Sequence, residues 1–105
     1  MRRNTLRFMG INYEVRFVKY VPAGIARNAV GCFDPKHNRI YVSTTATKRQ
    51  IAGTLLHELL HIIRHRVFVG MPMITDEMEV EGLSTALMEL FSSNPHIFKL
   101  LSQGL

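Results

Sequence analysis

A chain of 105 residues has room for one domain with a modest core, so any active site in it must be assembled from very few elements. Hydrophobic content of 47% beside 20% charged residues is that of a globular protein, and no repeat, low-complexity tract or bilayer-length apolar run occurs. The single Cys32 excludes an internal disulfide and a cysteine-rich zinc site, and the net charge of +5 (13 basic against 8 acidic residues) is spread along the sequence.

In chain order, Arg2, Arg3 and Arg7 are not followed by an apolar core of signal-peptide length, and a cytoplasmic protein is expected. Leu6 to Phe8 reads as a short strand or a lead-in. Ile11 to Val18 alternates apolar and polar side chains, the period of a half-buried strand. Val21 to Val30, with Pro22 and Gly24, lacks a clean period and is expected to be a loop with a short helical turn at Ala26 to Ala29. Gly31 to Phe33 and Arg39 to Ser43 form a predicted hairpin about the turn residues Asp34 to Asn38. Cys32 is expected to be a small packing residue.

Thr47-Lys48-Arg49-Gln50 has the form of a capping box and opens a predicted helix from about Lys48 to Arg66. Ile51, Leu55, Leu59 and Ile62 run down one side of it with Leu56, Leu60 and Ile63 beside them. Thr54, His57, Glu58, His61 and His65 share the opposite polar stripe. Within that stripe His57-Glu58-Leu59-Leu60-His61 places two imidazoles one turn apart, near enough to share one zinc ion. Glu58, one residue past the first histidine, is where a carboxylate can act as general base toward a metal-bound water. His65 lies about 12 Å along the axis from His57, too far for both to hold one ion.

A predicted loop over Val67 to Ile74 leads to a second helix, capped by Thr75 and running to about Ser92, with Val80, Leu83, Ala86, Leu87, Leu90 and Phe91 at apolar spacing. Asn94-Pro95 stops it and starts a short last helix that turns Ile97, Phe98, Leu100 and Leu101 inward. A catalytic zinc usually has three protein ligands. The second helix offers Asp76, Glu77, Glu79 and Glu81 if it folds back antiparallel on the histidine helix, and periodicity does not choose between Glu77 and Glu79.

The order His57-Glu58-x-x-His61, a loop, then Glu77-x-x-Val80-Glu81-x-Leu83-Ser84 looks like the gluzincin-type arrangement. It more closely resembles the ImmA/IrrE-like metallopeptidases and small phage-type proteins related to them, with Gly31 to Asp34 and Arg39 to Val42 fitting the short sheet before the motif helix. The resemblance spans roughly Gly31 to Pro95. Together with the elements read above, it implies an α+β fold: a small antiparallel or mixed sheet of about three strands packed on the motif helix and a second antiparallel helix, followed by the short C-terminal helix. It further implies one Zn2+ per chain, held by His57, His61 and Glu77, with Glu58 the catalytic base and Glu81 a supporting or alternative ligand. Those peptidases usually carry Ala where Val80 stands and Asn or Asp where Glu81 stands.

The expected function is therefore zinc-dependent hydrolysis of peptide bonds in a peptide or protein substrate, which would pair with the edge of the strand Arg39 to Ser43. The alternative is a catalytically silent metal-binding domain that regulates or interacts. Nucleic-acid binding through Arg2, Arg3, Arg7, Lys48 and Arg49 ranks behind both, because no recognition helix or aromatic stacking set accompanies those charges.

Overall fold

The computed structural model describes residues 2–26, 28–68, 70 and 75–103. It is an α+β fold in the order β1 (Arg2–Phe8), β2 (Ile11–Val18), β3 (Gly31–Asp34), β4 (Arg39–Ser43), α1 (Lys48–Val67), α2 (Asp76–Ser93) and α3 (Pro95–Gln103). There are four strands rather than about three, because Arg2–Phe8 pairs with β2 along its whole length, from Arg2 opposite Phe17 to Phe8 opposite Ile11. In the sequence the apolar alternation of this strand is confined to Leu6 and Phe8. Its two-residue turn is made by Met9 (φ 51°) and Gly10 (φ 79°), a left-handed pair without the usual Asn-Gly signature.

The sheet order is β1-β2-β4-β3, with β2 and β4 parallel and both other pairings antiparallel. The predicted hairpin is thus present, but its second strand is interior. Arg39–Ser43 lies between β2 and β3, Ile40 and Val42 are fully buried, and the free edge beside α1 belongs to β3. That corrects the expectation of a substrate edge on Arg39–Ser43: β2 occupies the side of β4 that the hairpin leaves open. The helical turn of the preceding loop also forms earlier than expected, with the Ile25 and Ala26 amides both donating to the Pro22 carbonyl. Of the expected turn residues, Arg27 lies outside the described residues, as do Val69 and 71–74 of the predicted interhelical loop.

The sheet and helices share one core. Ile51, Leu55, Leu59, Ile62 and Ile63 of α1 join Val15, Phe17, Ile40 and Val42 of the sheet, with Leu90 and Ile97 from the last two helices. Leu56 and Leu60 stay exposed because the buried stripe of α1 is narrower than the full apolar run. On α2, Ala86 and Leu90 are buried, but Val80 is exposed. A Cβ on Gly82 would come within 2.9 Å of the Phe68 ring and 3.7 Å of Val67, so Gly82 is the point where α2 meets the end of α1. Two residues back along a helix is a rotation of about 200°, which turns Val80 away from that contact. Phe98 is likewise exposed, beside the half-buried Phe91 ring at 5.4 Å.

The two sheet edges differ. Along β1, the Asn94 side chain accepts from the Arg7 amide (2.8 Å) and donates to the carbonyls of Arg7 (2.7 Å) and Leu90 (2.8 Å). His96 Nε2 lies 2.6 Å from the Thr5 carbonyl. The α2–α3 junction therefore satisfies β1's outward groups at these two residues and blunts that edge against further pairing. Among the described residues, no helix is long and apolar enough to cross a membrane.

Candidate metal centre

The register of α1 is set at its start. Thr47 is the N-cap, its hydroxyl accepting from the Gln50 amide (3.2 Å) while the Gln50 side chain accepts from the Thr47 amide (3.0 Å), the two halves of a capping box. From that start, positions 57 and 61 fall one turn apart on the exposed side of the helix. The imidazoles meet edge to face with centroids 4.8 Å apart, and their Nε2 atoms are separated by 3.2 Å. Two nitrogens each 2.0–2.1 Å from a single tetrahedral zinc would lie about 3.4 Å apart. The pair thus fits two ligands of one ion, with both Nε2 lone pairs available once each ring carries its proton on Nδ1.

Glu58 differs from its expected place on the outward stripe. It is buried, only 5% exposed, and its carboxylate reaches back to the start of β3: Oε2 lies 3.1 Å from where a Cβ on Gly31 would be. Burial pushes the Glu58 carboxyl above the usual carboxylate range, with His61 and then His57 opposing that shift. A proton-accepting group with a raised pKa beside two metal-capable imidazoles is the electrostatic pattern of a general base.

Gly31 makes this approach possible. An added Cβ would sit 2.5 Å from Thr54 Cγ2 and 3.3 Å from the Tyr41 carbonyl, besides its contact with Glu58. Sequence reasoning passed over this residue, although a glycine opening a strand is the signal for close approach of another element. We expect Gly31→Ala to lower stability by about 1–3 kcal/mol through overpacking, read as a loss in the midpoint of chemical denaturation; an unchanged midpoint would mean that α1 and β3 are not in this contact.

A cavity of about 580 Å³ opens over the pair, lined by Gly31, Cys32, Phe33 and Pro35 on one side and by His57, Glu58, His61, Arg64 and His65 on the other. His65 packs edge-on against Phe33 (5.7 Å), whose ring in turn lies 6.1 Å from Tyr13. Burial, with Glu58 and Asp34 adding to it, raises the Cys32 thiol pKa, which suits a protonated packing residue. His37 is held by Asp34 (2.7 Å) at the hairpin tip, and His96 of α3 lies against the Thr5 carbonyl of β1.

The acidic residues of α2 are placed elsewhere. Glu77, Glu79 and Glu81 are exposed and do not line the cavity, and α2 meets α1 at Val67 and Phe68, about 9 Å along the axis beyond His61. Among the described residues, no three His, Cys, Asp or Glu side chains come together as a metal-binding group. The structure thus lines one cavity with His57, Glu58 and His61, and Glu77 and Glu81 are not part of that lining. Comparison with known proteins finds no matching family model, no matching curated protein and no matching solved structure.

Proposed function

We propose that this chain is a zinc-dependent metallopeptidase of minimal zincin type, with His57 and His61 as ligands and Glu58 as general base. The observation that carries the reading is the convergence of two imidazole Nε2 atoms at 3.2 Å above a buried carboxylate, at the floor of a cleft. Glu77 enters as the third ligand on the resemblance alone, with Glu81 as its supporting partner. A zinc ion so held would supply a water whose pKa is lowered toward about 7 as the nucleophile. Glu58 takes a proton on its carboxylate and returns it to the leaving amine.

The strand edge best suited to a peptide substrate is β3. Ser43 donates its amide to the Val30 carbonyl (2.8 Å), which marks residues 30 and 43 as a hydrogen-bonded pair. Alternation in an antiparallel ladder then turns the amides and carbonyls of Gly31 and Phe33 away from β4, at the free edge of the sheet. An extended peptide added there would lie across the histidine pair.

The test is metal content with hydrolysis. Purified protein should hold one zinc per chain, and His57→Ala or His61→Ala should each bring that ratio close to zero by elemental analysis without loss of helical circular dichroism. Metal-free wild-type protein that takes up no zinc would overturn the reading. A second reading, a metal-binding domain without catalysis, is favoured by the placement of Glu77 outside the cleft. It predicts the same zinc ratio and no peptide cleavage.

A further inference from the structure

The groove around the histidine pair is electrically lopsided. At the far end of α1's polar stripe, the 580 Å³ cavity carries Arg64 and His65. Arg64 is exposed, and among the described residues it has no acidic partner. The cavity's lining holds one carboxylate, Glu58, which is buried at its floor. Asp34, at the end of β3, is held by His37 Nδ1 and the Lys36 amide rather than by Arg64. On the other side of Gly31 lies a second cavity of about 750 Å³ that shares Gly31, His57 and Glu58 with the first. Beyond the shared His57 and Glu58, its polar lining is uncharged: Asn28, Ser43, Thr45, Gln50 and Thr54.

Resting on the peptidase reading, we infer that the Arg64 end of this groove is an anionic subsite, which selects substrates with an acidic side chain on the N-terminal side of the scissile bond. The direction follows from β3. Gly31 faces Thr54 and Glu58 while Phe33 faces His65, so β3 and α1 advance the same way. A peptide pairing antiparallel with β3, the commoner arrangement, runs from the Arg64 end toward the Gln50 end. Its residues before the scissile bond then lie beside Arg64, and those after it enter the neutral cavity. The Arg64 guanidinium offers a planar donor fork that a carboxylate can meet with two hydrogen bonds. The Phe33 ring fixes His65 and walls the subsite opposite the helix.

Binding separates this inference from catalysis. Zinc-loaded Glu58→Gln protein would be titrated with labelled hexapeptides identical except for Glu or Gln before the central bond, or Glu after it, and followed by fluorescence anisotropy. The Glu-before peptide is expected to bind roughly two- to fivefold tighter than the Gln peptide, the weight of one exposed ion pair. The preference should vanish in the Arg64→Gln background and turn toward a Lys-before peptide in Arg64→Glu. Equal affinity for Glu and Gln peptides, or a preference for Glu after the bond, overturns the inference. Cleavage of the Gln peptide by wild-type protein is measured in parallel. Cleavage without acid preference removes the subsite and leaves the peptidase standing, whereas Arg64-dependent binding without any cleavage does the reverse.

Discussion

Replacing Glu58 with Gln is expected to leave one zinc per chain and to reduce peptide hydrolysis by roughly 100- to 10,000-fold, the range that a positioned general base contributes. That loss corresponds to about 3–5 kcal/mol of transition-state stabilisation. The substitution preserves shape in the slot between α1 and β3, where Glu58 approaches Gly31, so it removes proton transfer without opening the site. Neither histidine is touched, and the metal stays. Stability moves the other way from activity. Burial disfavours the Glu58 carboxylate, so a neutral amide of the same size should leave the metal-free protein melting no lower than wild type. Full activity in a folded, zinc-loaded Glu58→Gln variant would sink the role assigned to Glu58.

How much of this was legible in the sequence depended on whether the information was local. Thr47 with Gln50, Thr75, and Asn94-Pro95 each mark a helix boundary through hydrogen bonds within four residues, and all three helices begin where those residues put them. The histidine pair is also local, since one turn of α1 fixes its spacing. Strand order was not. The parallel pairing of β2 with β4 joins Val15 to Ile40 and Phe17 to Val42, partners 25 residues apart with nothing in either segment to name the other. The burial of Glu58 is non-local for the same reason: its place on the helix wheel is polar, and only the missing Cβ of Gly31 lets β3 close over it. The proposed third ligand falls in this class too. Glu77 belongs to another helix, and its relation to His61 depends on where α2 crosses α1, a contact set by Gly82 against Phe68 rather than by any acid.

Leu59→Ala should be the most damaging single change to the fold, and its effect bears directly on the metal. Leu59 is fully buried, lies next to Glu58 and two positions from each histidine, and anchors α1 in the shared core. Truncating such a leucine costs about 2–5 kcal/mol in lost transfer energy and cavity formation. A domain of this size has about 5–15 kcal/mol of total stability, so the change removes a large part of it, equivalent to a fall of roughly 10–30 °C in Tm. Because zinc bound at His57 and His61 would stabilise only the folded form, a free-ion concentration near 1,000 times its Kd should return about 4 kcal/mol. Scanning calorimetry of Leu59→Ala is therefore expected to show a low Tm without metal and a substantial recovery on adding zinc. The double variant Leu59→Ala with His61→Ala should show the low Tm in both conditions. Equal recovery by zinc in the double variant would place the stabilising ion somewhere other than the His57–His61 pair.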